Sequence, residues 1–305
     1  MKAEFLKSPL NYTGGKYRLL PQIIPLFPKN IGLFVDLFCG GGNVGINIKC
    51  GRVLFNDSAK HIIDLYKQWK ECSPDSVVKS VQRIIKKFKL SESCKYGYEF
   101  YGCESSSGLA KYNRIPFANL KTELNKRKGK KSYSTYLFVA ILYAFNNQIR
   151  FNSSGDFNLP VGKRDFNDKE RTNLINFINR FHEIECSFSS VDFRNIDISN
   201  LEHSDFVYVD PPYLVTNATY NENNQWTSSD ERDLLSFLEE LNQRGIRFAL
   251  SNVLKSKGVK NEILLSWLLI HPSFKCHHLV HSYSNSNYQR KDKGSFSDEV
   301  LITNY

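Results

Sequence analysis

Asp210-Pro211-Pro212-Tyr213 follows directly on the apolar run Phe206-Val207-Tyr208-Val209, and these residue types in this order suit a flat exocyclic amine. An amino group on a nucleobase is a poor nucleophile because its lone pair is shared with the ring. An acceptor must draw its hydrogens aside before it can attack, and the Asp210 carboxylate is such an acceptor. The two prolines fix φ near about −65° and carry no N–H, so they make a stiff corner whose Pro211 carbonyl can face outward as a second acceptor. Tyr213 offers a ring on which a base could stack. The same order of residues also ends a buried strand in a turn with no chemistry attached.

A second constellation lies near the amino terminus. Gly40-x-Gly42-x-x-Gly45 has the spacing of a dinucleotide fingerprint and follows the strand-like run LFVDLF at 33–38. A further apolar run, VLFN at 53–56, ends at Asp57, seventeen residues after the first glycine. Glycines there permit a tight turn and close approach of a ligand, and a carboxylate at the end of the second strand suits two ribose hydroxyls. NAD and S-adenosylmethionine both contain adenosine, and a ligand-free glycine turn has the same spacing. Asp36, inside the first strand, would repel a pyrophosphate but attract a sulfonium or an ammonium, which favours the methyl donor. Upstream, Asn11-Tyr12-Thr13-Gly14-Gly15-Lys16 is not a Walker loop. Its Gly-Gly pair lets backbone approach a ligand whose carboxylate Lys16 could meet, whereas the plain alternative is a loop with a solvated lysine.

These groups need a scaffold. The chain has 305 residues, 41% hydrophobic and 13% aromatic, enough for one large α/β domain carrying a smaller one. Lys plus Arg number 41 against 31 Asp plus Glu, a net charge of +10 that favours a polyanionic partner. The seven cysteines include no C-x-x-C pair, so neither a disulfide framework nor a zinc site is indicated. His277, His278 and His281 lack acidic companions, and no metal is expected on them. The amino terminus has no apolar signal core and no segment is apolar enough to cross a membrane, which points to the cytoplasm.

Strand-like runs at 205–209, 246–251, 278–283 and 299–303 alternate with helical patterns at about 229–242 and 258–270, the signature of a mostly parallel sheet with helices on both faces. Ser228-x-x-Glu231 reads as a capping box, with Gly245 past the end of that helix. Between the two sheet-forming blocks the pattern turns helical, at 60–72, 76–90 and 133–145, with an apolar stripe of Val77, Val81, Ile84, Ile85 and Phe88. The basic run Lys126-Arg127-Lys128-Gly129-Lys130-Lys131 belongs to this middle, where Lys128 and Lys130 suit phosphates better than bases. Alternation about Ser153-Ser154-Gly155 predicts a β-hairpin. The expected division is a catalytic domain from 1–57 and 165–305, interrupted by a helical module with a polar hairpin at 58–164.

In this order, Asn11 to Lys16, the 36–45 glycine segment, Asp57, the hairpin from Arg150 to Pro160, Asp210 to Tyr213 and Ser251-Asn252 resemble the Dam-like, D12 class of DNA adenine-N6 methyltransferases over nearly the whole chain. The resemblance implies a class I S-adenosylmethionine-dependent methyltransferase fold, Rossmann-like and mostly parallel, with an inserted DNA target-recognition module. It implies S-adenosylmethionine as cofactor and adenine N6 in duplex DNA as acceptor, reached by base flipping. It leaves room for a cognate restriction endonuclease as a functional partner.

By motif, the resemblance assigns Tyr12, Lys16, Asp36, Phe38, Gly40, Gly42, Asp57 and Asp210 to the cofactor pocket, and Asp210, Pro211, Pro212 and Tyr213 to the target base. It assigns Asn11, Asn146, Gln148, Arg150, Asn152 and Pro160 to DNA, alongside Lys128 and Lys130. Arg150 is the candidate for a guanine, because its fork can donate to both O6 and N7; pairing with Asp156 across the hairpin is its plain alternative, as a simple turn is for Asn146-Asn147. Asn11 stands where relatives often have lysine, and Gln148 where some have an apolar residue. Tyr220 and Trp226 line a base pocket or serve as core aromatics. Cytosine N4 methylation uses the same amine chemistry, but Asp rather than Ser before Pro-Pro-Tyr favours adenine. A methylase of ribosomal RNA or protein glutamine would more often carry Asn at 210, and a silent DNA-binding regulator on this fold would not need Asp210 and Tyr213.

Overall fold

The apolar runs read from the sequence fall in strands of one sheet in the computed structural model, which describes residues 5–103, 107–216, 226–280 and 297–305. The strands are β1 (Leu33–Asp36), β2 (Arg52–Asn56), β3 (Glu185–Ser189), β4 (Phe206–Val209), β5 (Arg247–Ser256), β6 (Val259–Lys260), β7 (Lys275–Leu279) and β8 (Ser297–Thr303). The helices are α1 (Leu20–Ile23), α2 (Lys60–Glu71), α3 (Pro74–Phe88), α4 (Ser93–Tyr96), α5 (Ala110–Asn125), α6 (Tyr133–Tyr143), α7 (Asp168–Glu183), α8 (Ser228–Gln243) and α9 (Glu262–Ile270). The chain divides into two compact units, one of Met1–Phe5, Lys16–Ser58 and Glu185–Tyr305, the other of Leu6–Gly15 and Ala59–Ile184.

The first unit holds the sheet, in the order β3-β2-β1-β4-β5-β8-β7, with β6 paired to β5. The pairs β3·β2, β2·β1, β1·β4 and β4·β5 are parallel, and β8 runs antiparallel to both β5 and β7. Strands covered on both faces are apolar throughout, and all four residues of β4 are buried. Alternation sorts them: Val35, Val207, Val209, Phe248 and Leu250 face a core with Leu234, Leu238, Leu241, Leu264 and Trp267 of α8 and α9. Phe34, Phe206 and Tyr208 take the other face, where Phe27 lies 4.9 Å from Phe206 and 5.5 Å from Tyr208 between ring centroids. From β1 the chain lays β2 and β3 on one side, then returns to place β4 on the other. The carboxyl ends of β1 and β4 therefore flank a topological switch point, where open α/β sheets bind their ligands.

Three local expectations are corrected. The helix expected over 258–270 starts only at Glu262, because Lys257 and Gly258, with φ of 49° and 87°, turn the chain back from β5 into β6 and Asn261 then caps α9. The capping box of α8 is Thr227 with Asp230, one residue ahead of the expected Ser228 and Glu231, which leaves Glu231 to be buried completely. The late strand lies at Lys275–Leu279 rather than 278–283, and residues from 281 on, His281 included, lie outside the described residues until 297.

The second unit is helical. The stripe Val77, Val81, Ile84 and Ile85 of α3 is buried, and α6, apolar all round, is buried from Ser134 to Tyr143. Trp69 lies edge-on to Phe138 at 5.1 Å and Tyr66 to Phe181 at 5.4 Å, so α2, α6 and α7 share one aromatic core. That packing carries the unit to Ile184 instead of 164. Asp165, just past the expected boundary, is 1% exposed and accepts bonds from Ser91 Oγ, Ser93 N and Ser93 Oγ at 2.6–3.2 Å.

Candidate active site

Turn chemistry fixes the loop after β1. Gly40 and Gly42 have φ of 46° and 69°, in the left-handed region that side chains avoid. At Gly45 a Cβ would stand 2.5 Å from the Phe55 ring and 2.9 Å from Asp36 Oδ2, so only glycine lets the backbone pass. Two buried carboxylates hold the loop: Asp36 Oδ2 accepts from Gly45 N at 2.9 Å and Asp57 Oδ2 from Gly40 N at 2.8 Å. Burial pushes the Asp36 carboxyl up to about 8; the Gly45 N–H opposes this, and Asp210 and Asp57 add to it by charge. The half-buried Phe38 ring meets Trp226 edge-on at 5.9 Å and tilts against Phe193 at 5.6 Å. Trp226 thus packs beside a residue expected at the cofactor, whereas Tyr220 lies outside the described residues.

The loop after β4 carries the other half. Pro211 is buried and Pro212 exposed. The Asp210 side chain is 16% exposed, and its Oδ1 accepts from Lys16 Nζ at 2.9 Å and from the Tyr213 hydroxyl at 3.0 Å. That hydroxyl also reaches Glu299 Oε1 at 3.2 Å, and Lys16 Nζ is 3.5 Å from the same oxygen and 4.9 Å from the Tyr213 ring centroid. Burial drives the Tyr213 phenol well above its ordinary value of 10.0, so it remains a donor. Lys16, expected against a ligand's carboxylate, here has its ammonium between Asp210 and Glu299.

Two carboxylates at this end of the sheet were not found from the sequence. Glu299 sits in β8, 3% exposed, after Asp298 and just ahead of the apolar run Val300-Leu301-Ile302. Glu231, freed from the cap, accepts from Trp226 Nε1 at 2.6 Å, Asn252 Nδ2 at 3.0 Å and Asn261 Nδ2 at 2.8 Å. Ser251, expected near the site, bonds the Tyr208 hydroxyl at 2.8 Å. His278 stands 2.7 Å from Asp298, and among the described residues no group of three His, Cys, Asp or Glu could hold a metal ion.

The residues expected at DNA lie in the second unit, as does Tyr12. Asn146 and Asn147 both have φ near +54° (54° and 53°), a left-handed pair that asparagine tolerates and that forms a turn. Asn146 is exposed, and its carbonyl accepts from Asn11 Nδ2 at 2.7 Å. The hairpin is present as isolated antiparallel bridges, Phe151 to Phe157 and Ala144 to Val161, rather than as full strands. Asn152 closes its tip, taking the Asp156 N–H on its side chain at 2.8 Å. Arg150 donates from Nε to Asn158 Oδ1 at 2.9 Å, not to Asp156, whose partner is Lys128 at 2.6 Å. Lys128 also donates to Ser154 O, so it braces the hairpin tip, while Lys130 and Pro160 are exposed and Gln148 is half-buried. Asn125 at the end of α5 grips the Phe157 backbone twice, accepting from N at 2.9 Å and donating to O at 3.2 Å.

A mostly parallel sheet whose switch point gathers a glycine loop, two buried carboxylates and Asp-Pro-Pro-Tyr has the class I methyltransferase fold. Comparison with known proteins narrows the class. The family described as D12 class N6 adenine-specific DNA methyltransferase matches residues 12–288, and the chain belongs to it. It is 39% identical to Modification methylase StsI of Streptococcus sanguinis and 38% identical to Type II methyltransferase M.FokI of Planomicrobium okeanokoites, over 99% of this chain in both cases. The chain spans 43% of the length of each of these relatives. It is 25% identical to the DNA adenine methylase of Escherichia coli (strain K12), over 80% of this chain and 79% of that one.

Proposed function

We propose that the protein transfers a methyl group from S-adenosylmethionine to the N6 amine of an adenine flipped out of duplex DNA, as a site-specific modification enzyme. The observation that carries this reading is the Asp210 carboxylate, held at the end of β4 beside the switch point and bonded through one oxygen only among the described residues. The cofactor fits the other half of the site. Buried Asp36 and Asp57 around positive-φ glycines suit a cation and a pair of hydroxyls, and Phe38 with Trp226 supplies an apolar wall. Asp36, Phe38, Gly40, Gly42 and Asp57 would hold it, and once bound it supplies an electrophilic methyl on a sulfonium. Asp210 and the Pro211 carbonyl accept the hydrogens of the target amine, which turns its lone pair toward attack. No covalent enzyme intermediate is required, and orientation with fixed charge supplies the catalysis.

Extruding a base costs a few kcal/mol, and stacking on Tyr213 at about 1–3 kcal/mol offsets much of it. The second unit supports DNA recognition by its exposed lysines and its braced hairpin, with Asn11, Asn146, Gln148, Arg150, Asn152, Pro160, Lys128 and Lys130 as the residues assigned to it. Its cognate partner, duplex DNA, and a companion endonuclease belong to the same reading. Among the described residues no helix is long and apolar enough to cross a membrane.

The test is tritium transfer from labelled donor to duplex DNA, with the modified base identified by mass spectrometry and its sequence context by methylation-sensitive sequencing. N6-methyladenine is expected, and Asp210→Ala should abolish it while the fold and most DNA affinity remain. Near wild-type turnover by Asp210→Ala would sink the mechanism.

A further inference from the structure

Lys16 reaches Asp210 and Glu299 reaches Lys16 from separate elements, a short 3₁₀ turn at Lys16–Arg18 and strand β8, and both side chains are 4% exposed. An ammonium so deeply buried is tolerated only when its charge is met, and here two carboxylates and a ring face meet it. The arrangement is asymmetric. Lys16 Nζ and the Tyr213 hydroxyl both fall on Oδ1 of Asp210, and among the described residues no bond falls on Oδ2. An incoming amine needs an acceptor oxygen that is still open, and an ionised one accepts more strongly than a neutral one; this pattern leaves Oδ2.

We propose that Lys16 and Glu299 are positioning residues that act on Asp210 in opposite directions: Lys16 pins Oδ1 and keeps the carboxylate ionised, and Glu299, gripping Lys16 and Tyr213, limits that pull. The proposal rests on Asp210 being the amine acceptor. Burial alone raises the Asp210 carboxyl; the Lys16 charge and bond and the Tyr213 bond lower it, and the Glu299 charge raises it. The other groups facing Asp210 are Asp36 on β1 and Tyr208 on β4, whose hydroxyl is engaged with Ser251. Asp36 still holds its proton below about 8, and Tyr208 is raised well above its ordinary 10.0, so both stay neutral as the pH falls below that point.

Two readouts test this. The first is the carboxyl resonance of Asp210 in free protein labelled at aspartate carboxyl carbons, assigned by its loss in Asp210→Ala. The second is the acid limb of single-turnover methylation. Lys16→Gln should move both midpoints up by about 1–3 pH units, the usual effect of removing a close opposite charge, and Lys16→Arg should restore them. Glu299→Gln should move both down. Midpoints that move the same way in the two variants, or not at all, overturn the proposal. If Lys16→Gln does not fold, Glu299→Gln carries the test alone, and a midpoint that stays or rises overturns it. Undiminished methylation by Asp210→Ala would instead remove the acceptor reading while leaving the opposed titration shifts standing.

Discussion

With Asp36 assigned as proposed to the positive charge of the methyl donor, donor binding should strengthen steeply with pH, because that carboxyl keeps its proton in the free protein below about 8. Asp36 is 1% exposed with its titration pushed up to about 8, so at pH 7 about one molecule in ten carries the charge there. If only the ionised form meets the sulfonium, each pH unit below 8 weakens binding by about tenfold, and the gain levels off above 8. Calorimetric titration of S-adenosylmethionine at pH 6.5, 7.5 and 8.5, in two buffers of different ionisation enthalpy, measures both the affinity and the release of close to one proton at the lower pH values. S-adenosylhomocysteine has a neutral sulfur and should show a flatter profile; an equal slope would assign Asp36 to the ammonium that the two ligands share. Stability runs the other way. The folded state keeps a proton that the unfolded chain gives up near 3.8, so ionisation of Asp36 lowers stability as pH rises from about 4 to 8, by up to about 1.4 kcal/mol per pH unit. Asp36→Asn should lose that part of the slope and gain thermal midpoint over wild type at pH 8. A pH-independent affinity without proton release, or Asp36→Asn binding the donor as tightly as wild type at pH 8.5, refutes the reasoning.

Arg150→Ala should relax discrimination at one base pair by about 1–3 kcal/mol, read from binding to a panel of singly substituted duplexes; equal weakening on every duplex would remove Arg150 from base reading. Lys130→Ala, altering an exposed side chain, should weaken all sequences alike and flatten the salt dependence, whereas Lys128→Ala frees Asp156 and Ser154 at the hairpin tip and should also relax specificity. Tyr213→Phe keeps the stacking ring but deletes the hydroxyl that bonds Asp210 and Glu299, so single turnover at saturating DNA should slow roughly tenfold, the scale of one hydrogen bond to a charged group. Tyr213→Ala should slow it further, and 2-aminopurine at the target position should report less flipping in Ala than in Phe.

The parts of this protein that the sequence discloses are those whose physics is local. A strand covered on both faces must be largely apolar, so β1, β2 and β4 announce themselves, and a glycine loop needs its glycines wherever it sits. Edge strand β3, Glu185-Cys186-Ser187-Phe188-Ser189, pairs on one side only and needs no apolar run, so its pattern says nothing. Helix α5 hides for another reason: Pro116, which in a sequence reads as a helix breaker, lies inside it, although the helix runs on through it and Asn113, Phe117, Leu120 and Leu124 form a buried stripe. The same division holds in the site. Asp36, Asp57 and Asp210 are legible because each ends or nearly ends a strand beside turn residues. Glu231 and Glu299 are not, because what makes them matter is who meets them. Glu231 looks like a cap until Thr227 and Asp230 take that task, and Glu299 is one of two adjacent acids at the head of β8 until the sheet brings it to Tyr213, 86 residues away in sequence. Lys16 shows the consequence most sharply. Its residue type and its neighbouring glycines suggest a ligand's carboxylate, yet the fold also sets its ammonium against two carboxylates of its own, from positions 210 and 299, a meeting that no local pattern around Lys16 announces.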